Sequence, residues 1–379
     1  MDIEALEEWG FGQGPLIIAG PCSAESEKQV TSTARALKAT GMVHLFRSGI
    51  WKPRSRPGAF SGEGTHALKW LQAAKQETGL PMAVEVASPK HVEECLKHSI
   101  DVVWLGARTV SNPFSVDEIA NALQGTSVPV MVKNPLGPDL ELWLGAVERL
   151  YAHGIRKLAG VHRGFTPYEI TQYRNIPKWE LAIELRSRVP SLPVICDPSH
   201  MSGRADLVPL VSQKALDMNM GGLMIEVHIN PEEALSDRDQ QLDPKGFESM
   251  MKNLIFRTPS SDDLGFKNQL DELRARIDSI DHQIIELVAT RMNISGKMGE
   301  FKCRENVTVF QLDRWLEILQ SRVEHGVHAG LEKDFIEHLI KVIHEESIRC
   351  QDKVMDKLRR SDRCPRAPDC NKNQGDKDI

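Results

Sequence analysis

Between residues 16 and 228 the sequence holds eight short runs rich in β-branched and aliphatic residues, each followed by a stretch of helical composition. The runs are LIIAGPC (16–22), HLFRSGI (44–50), MAVEVA (82–87), DVVWLGA (101–107), VPVMVKN (128–134), KLAGVHR (157–163), PVICDPSH (193–200) and GGLMIEVH (221–228). Strands that alternate with helices pair in parallel, because a helix carries the chain back across the sheet between them. Eight such units in about 250 residues match a closed (β/α)8 barrel, the TIM architecture. An open doubly wound sheet is the rival. No Gly-x-Gly-x-x-Gly turn follows the first run, which weakens the dinucleotide-binding form of that rival.

Each run opens apolar and closes on a reactive or charged side chain. In order these are Cys22, Arg47, Glu85, Arg108 just past its run, Lys133, Arg163, Asp197 with His200, and Glu226 with His228. Barrel active sites lie at the carboxyl ends of the strands, so eight strands aim these groups at one mouth. Thiol, imidazole and carboxylate together suit a first-row divalent metal, and the candidate ligands are Cys22, His200, Glu226 and Asp237. Each alone has an ordinary structural reading, a small buried cysteine or a satisfied loop histidine. Their joint placement favours a metal. Arg108, Lys133 and Arg163 would repel one another unless an anion sat among them. The loop RSGIWKPRSRPG (47–58) adds Lys52, Arg54 and Arg56, and the implied ligand is multiply anionic with phosphate groups.

The chain has 379 residues, more than one ordinary core accommodates. A net charge of −6 argues against general nucleic-acid binding, and no apolar run is long enough to cross a membrane. The acidic start, MDIEALEEWGFG, is unlike a secretory leader, so a cytoplasmic location is expected. Seven cysteines without zinc-finger spacing predict reduced thiols rather than a disulfide framework. The composition predicts a barrel over 1–258, a Pro/Ser/Asp-punctuated linker over 259–266, an all-α three-helix domain over 267–356 and a disordered tail over 357–379.

The helical segment opens with apolar residues at Leu270, Leu273, Ile277, Ile280, Ile284, Leu287, Ile294 and Met298, which predict one long helix over 268–303. Further amphipathic helices are expected over 309–325 and 331–356. Arg291 and Lys302, eleven apart, fall in the middle of the first apolar stripe and need an anionic partner. Arg274 lies some 25 Å from Arg291 along the axis, so one helix cannot bring both to a small ligand, whereas a symmetric homodimer can. Gln311, Arg314 and Trp315 share a stripe of the second helix, and Ser347 and Gln351 share an edge of the third. Periodicity alone also describes a plain dimerisation module.

AGPCS (19–23), KPRS (52–55), GAR (106–108), DPSH (197–200), IEVH (225–228) and LSD (235–237) resemble the 3-deoxy-D-arabino-heptulosonate 7-phosphate (DAHP) synthases. KPRS differs from the ANRS-like sequence usual in the related octulosonate-phosphate synthases, and the short stretch before the first strand is similar to the short-barrel subtype. The resemblance implies a divalent metal on Cys22, His200, Glu226 and Asp237: Mn2+, with Fe2+, Co2+ or Zn2+ as alternatives. It also implies phosphoenolpyruvate held by Arg108, Lys133 and Arg163 at its phosphate and by Arg47 and Lys52 near its carboxylate. Erythrose 4-phosphate would meet Arg54 and Ser55, and Lys52 is the implied proton donor.

LRARIDSIDHQIIELVATRMNISGKMGEFK (273–302), QLDRW (311–315) and EESIRCQ (345–351) resemble the all-helical chorismate mutases. The resemblance implies chorismate bound by Arg291, Lys302, Gln311, Arg314, Ser347 and Gln351, with Arg274 supplied by the partner of a homodimer. Lys302 and Gln351 would stabilise charge growing on the ether oxygen. Trp315 stands where many members have an acid, and Gln311 replaces a common Asp; both positions bear on hydroxyl recognition. The implied whole is a bifunctional shikimate-pathway enzyme whose helical domain also senses chorismate or prephenate. The alternative is a regulatory and dimerisation module with little turnover.

Overall fold

The computed structural model describes residues 1–52, 58, 60–168 and 170–360. It divides into two compact units, Met1–Pro259 and Ser260–Ile379. In the first, eight parallel strands close on themselves in sequence order. They are β1 (Leu16–Gly20), β2 (Leu45–Ser48), β3 (Met82–Val86), β4 (Val102–Leu105), β5 (Val130–Lys133), β6 (Leu158–His162), β7 (Val194–Cys196) and β8 (Gly222–Glu226). Closure is made by β1 against β8, in register from Leu16↔Gly222 to Gly20↔Glu226. A closed ring excludes the open doubly wound rival.

The helices of this unit are α1 (Glu27–Thr40), α2 (His66–Thr78), α3 (Pro89–Lys97), α4 (Ala107–Val110) and α5 (Pro113–Leu123). They continue with α6 (Leu140–Ala152), α7 (Trp179–Arg188), α8 (Pro198–Ser202), α9 (Val208–Asp217) and α10 (Pro244–Asn253). Strand side chains alternate between two apolar layers, as a period of two requires. Ile17, Ala19, Phe46, Val84, Val132, Leu223 and Ile225 pack outward against the helices. Ile18, Leu45, Ala83, Trp104, Met131, Val161, Ile195 and Met224 fill the interior, over Leu6 and Trp9 of a short 3-10 turn. The residue two positions after each interior residue is the next to face the barrel axis. Those residues are Gly20, Arg47, Glu85, Gly106, Lys133, Arg163, Asp197 and Glu226, a charged layer laid directly on the apolar core.

The second unit has three helices, α11 (Leu264–Arg304), α12 (Leu312–His328) and α13 (Lys333–Arg360). The first starts inside the stretch read as linker, because Asp263 caps it by accepting from the Phe266 amide at 2.6 Å. The last continues through residues 357–360, which were expected to be disordered. Lys357, Arg359 and Arg360 suit the negative end of its dipole. Residues 361–379, the rest of the expected tail, lie outside the described residues. The apolar stripe of α11 is largely uncovered within the chain: Ile277, Ile284 and Met298 are 57%, 52% and 47% exposed. Cys22, Cys95, Cys196 and Cys350 carry free thiols. Among the described residues no helix is long and apolar enough to cross a membrane.

Closure at the β1–β8 seam depends on Gly222, where an added Cβ would lie 2.2 Å from the Leu16 carbonyl oxygen. Gly222→Ala is expected to cost about 3 kcal/mol in urea unfolding. Gly137→Ala, where the Cβ meets nothing within 4 Å, is expected to cost under about 0.5 kcal/mol. Equal midpoints for the two variants would contradict this account of the seam.

Candidate functional site

Above the barrel core the charged layer contains two buried ion pairs. Arg47 Nη1 lies 2.9 Å from Glu226 Oε1, and Lys133 Nζ lies 2.7 Å from Asp197 Oδ2. All four residues are buried. Trp104 forms the floor: its ring centroid is 5.1 Å from the Arg47 guanidinium and 5.9 Å from Lys133 Nζ, and its indole N–H donates to Glu85 Oε2 at 3.1 Å. The indole face thus supports two cations while its edge meets an acid.

Asp197 follows β7 and also organises the next turn. It caps α8 by accepting from the His200 amide at 3.0 Å, and its Oδ2 lies 2.8 Å from His200 Nδ1. That contact leaves Nε2 facing Glu226 Oε1 at 3.7 Å. His200 therefore sits on a one-turn helix rather than at a strand end, with Pro198 at the first helical position breaking the strand. Cys22 Sγ and carboxylate oxygens of Glu226 and Asp237 lie within 4.8 Å of one another, so three of the four predicted ligands converge, and His200 borders them through its Nε2 contact with Glu226.

The donor set fits a divalent transition metal. Burial, then the Glu226 carboxylate, pushes the Cys22 thiol up to about 12, and as a thiol it donates to Asp237 Oδ2 at 3.3 Å. A cation that binds such a sulfur displaces its proton, which passes to water or a neighbouring base. Burial opposes ionisation of Glu226, yet His200 and Arg47 bring it below the usual carboxylate range. Burial likewise opposes Asp237, and His200, Arg174 and Lys52 hold it well below that range. Thiol, imidazole and two carboxylates are thus presented together, a set that Mn2+, Fe2+, Co2+ and Zn2+ accept.

Beside this cluster opens a cavity of about 370 Å³ lined by Lys52, Arg108, Lys133, Arg163, Arg174 and His200, among others. Lys52 Nζ lies 2.9 Å from the Cys22 carbonyl oxygen and 3.1 Å from its Sγ. Burial lowers the Lys52 pKa, but Cys22 and Glu226 outweigh it and the net shift is upward, so the ammonium stays charged. Burial pulls the Arg163 guanidinium down to about 10, with Asp197 opposing and Arg174 and Arg108 reinforcing. An anion placed among these cations would relieve that strain on the charged form. Of the predicted barrel residues, the structure brings together Cys22, Arg47, Lys52, Arg108, Lys133, Arg163, His200, Glu226 and Asp237. Arg54 and Ser55 lie outside the described residues.

Arg174 escaped the reading of the sequence. Its Nη1 lies 3.0 Å from Asp237 Oδ1 and 2.7 Å from Gln240 Oε1. It belongs to a loop that Asn175 fastens to α8, donating from Nδ2 to the His200 carbonyl at 2.6 Å. The available signal was a basic residue near the end of the TPYEITQYRN loop after β6, without a strand to fix its direction.

In the helical unit, Arg291 Nη1 donates to Ser347 Oγ and, at 3.3 Å, to the Ile343 carbonyl. Lys302 Nζ donates to the Val309 carbonyl at 2.6 Å. Burial lowers the pKa of both cations, with Arg322 adding to the effect on Arg291. At Gly299 an added Cβ would stand 2.9 Å from Gln351 Cα, so α11 and α13 nearly touch and Gln351 is buried. The other predicted residues do not converge within this chain. Arg274 and Arg314 are exposed and pair locally with Asp271 at 3.3 Å and Glu317 at 2.6 Å. Gln311 is exposed at the start of α12. Trp315, from the same predicted stripe, stacks on His344.

Comparison with known proteins agrees with this geometry. Residues 3–257 match the family described as DAHP synthetase I, and residues 273–352 match chorismate mutase type II. The phospho-2-dehydro-3-deoxyheptonate aldolase of Thermotoga maritima is 30% identical over 63% of this chain and 68% of its own. A 2-dehydro-3-deoxyphosphooctonate aldolase of Variovorax paradoxus is 27% identical over 65% of this chain and 91% of its own. A crystal structure of the T. maritima DAHP synthase superposes with a TM-score of 0.57 at 30% identity, covering 64% of this chain and 68% of that one. A truncated form of 3-deoxy-D-arabino-heptulosonate 7-phosphate synthase from the same organism gives 0.55 at 27% identity, covering 68% and 87%. The match over residues 3–257, more than half of the chain, makes this protein a member of the DAHP synthetase I family, and the match over 273–352 shows that it also carries a chorismate mutase type II domain.

Proposed function

We propose that the barrel condenses phosphoenolpyruvate with erythrose 4-phosphate and water to DAHP and phosphate. The observation that carries this reading is the cation-lined cavity opening directly beside the thiol, imidazole and carboxylate cluster. Cys22, His200, Glu226 and Asp237 would hold a divalent metal. When bound, it supplies Lewis-acid polarisation of the sugar aldehyde. Arg108, Lys133 and Arg163 would take the enol phosphate, and Arg47 and Lys52 the region of its carboxylate. The enol carbon C3 attacks the aldehyde carbon, and the new oxygen takes a proton from the Lys52 ammonium, whose upward shift keeps that proton in place beforehand. Water then adds at C2 and phosphate departs with C–O cleavage. Arg54 and Ser55, in the KPRS loop, would receive the phosphate of erythrose 4-phosphate.

For the helical unit we propose rearrangement of chorismate to prephenate. Arg291, Lys302, Ser347 and Gln351 would line the site, Lys302 and Gln351 at the ether oxygen, with Gln311 and Arg314 closing in on the ligand. Such a site needs no covalent step, only positioning and charge stabilisation. The uncovered stripe of α11 supports pairing with a second copy, which would supply Arg274 to the partner's site. We propose further that this unit reports prephenate or chorismate to the barrel. A separate boundary between catalytic units near residues 258–266 is part of the same reading.

Loaded with Mn2+, the purified chain is expected to release one phosphate per erythrose 4-phosphate consumed and to be much slower with arabinose 5-phosphate. Cys22→Ala should abolish that release and weaken Mn2+ affinity in calorimetry, while chorismate consumption stays at the parental rate. Parental Mn2+ affinity in this variant would remove Cys22 from the ligand set. Arg274→Ala and Arg291→Ala chains, each inactive toward chorismate, should recover part of that activity when mixed. No recovery in verified mixed dimers contradicts the shared site. Prephenate is expected to slow the synthase reaction of the full chain, and an unchanged rate at saturating prephenate would leave the helical unit without a sensing role.

A further inference from the structure

His344 lies on α13 three residues before Ser347 and seven before Gln351, so all three occupy one edge of the helix. Its ring lies flat on Trp315 of α12, centroids 4.0 Å apart at 17°, and meets Phe310 edge-on at 6.2 Å. Two aromatic rings therefore fix the plane of the imidazole. Its Nε2 is buried and has no hydrogen-bond partner among the described residues, and Gln351 Oε1 is in the same condition. Buried polar atoms in native proteins are nearly always satisfied, so two orphans on one helix edge point to a ligand that completes them.

We propose that His344 is a ligand-contacting residue of the helical site, held by Trp315 so that Nε2 meets the anion bound beside Arg291 and Lys302. The inference rests on the mutase reading of this unit and names a contact that reading does not include. Burial, then Arg291 and Lys302, lowers the His344 pKa, so the imidazole is neutral at neutral pH and offers one donor and one acceptor. With two cations already present, a neutral donor can reach a carboxylate or hydroxyl oxygen without adding a third charge. Trp315 occupies a position where many related mutases have an acid. Here its ring orients the imidazole, and the imidazole makes the polar contact.

The test uses the full chain and three substitutions, read by chorismate kcat and KM and by calorimetric chorismate affinity. His344→Phe keeps a flat ring against Trp315 and removes both nitrogens. His344→Gln gives up the ring and places an amide nitrogen near the Nε2 position, whereas His344→Asn places it near Nδ1. Far-UV circular dichroism and synthase activity control for folding. The expected result is a loss of about tenfold in kcat/KM for Phe and for Asn, the scale of one missing hydrogen bond, with Gln within about threefold of the parent. A packing role reverses the order, with Phe near the parent and Gln low. That reversal overturns the proposal, as does equal activity of Gln and Asn. Should Phe fail to fold, the Gln and Asn contrast decides alone. A parent that binds chorismate without converting it is compared by affinity in the same way. A parent that neither binds nor converts it overturns the mutase reading and this inference together, whereas an active parent left unchanged by Phe overturns this inference alone.

Discussion

The Arg47–Glu226 and Lys133–Asp197 pairs, set on the apolar barrel core, are the constraint on which the mouth depends. Charges this buried are tolerated only when paired and hydrogen-bonded, since an isolated one costs several kcal/mol. Each partner is already committed to something else. Glu226 Oε2 accepts from Gln240 at 2.7 Å, Asp197 orients His200, and Arg47 donates to the Cys22 carbonyl at 3.1 Å. Electroneutrality of the layer and placement of the reactive groups are therefore one arrangement. Six of its side chains are ionisable, three of each sign, and the two glycines leave room between them. A multiply charged anion in the cavity meets Lys133 and Arg163 of this layer together with Arg108 and Arg174 around it.

The loops complete that arrangement from above. The β8 loop brings Asp237 to Cys22, while Ser23 and Ser236 hydroxyls meet at 2.5 Å and Gln241 accepts from the Cys22 amide at 2.9 Å. Behind them Glu25 accepts from the Leu235 amide at 2.9 Å and lies 3.6 Å from His228. The first and last strand ends are thus tied together on the side where the barrel closes. This is preorganisation in the physical sense: donors are held by a hydrogen-bonded scaffold rather than gathered by the ligand.

Much of this was legible in the sequence because a strand's period of two leaves a plain record. Apolar runs that end in charge identified the layer, and the parity of Met131 and Lys133, or Met224 and Glu226, is visible without coordinates. Legibility fell where the backbone left the strand. His200 looked like a strand end, yet Asp197 and Pro198 start a helical turn before it. Arg174 arrives by a loop whose path is set by tertiary hydrogen bonds. In the helical unit the periodicity located α11 and set Arg291 and Lys302 in its apolar stripe, but it did not join Arg291 to Ser347 of α13. It set Gln311 and Arg314 on one stripe of the second helix, and in the single chain both face solvent at the start of α12. A stripe on a wheel gives direction around an axis; it does not say which neighbour covers it.

Strand parity has a consequence for how such a chain can change over generations. Val86, Cys196 and Val227 alternate with Glu85, Asp197 and Glu226 but face the helices. Selection for stability and selection for chemistry therefore act on interleaved letters of the same short words. The outward letters can drift with their helical neighbours while the inward ones stay fixed. A single-residue insertion within a strand, by contrast, would exchange the two sets at once.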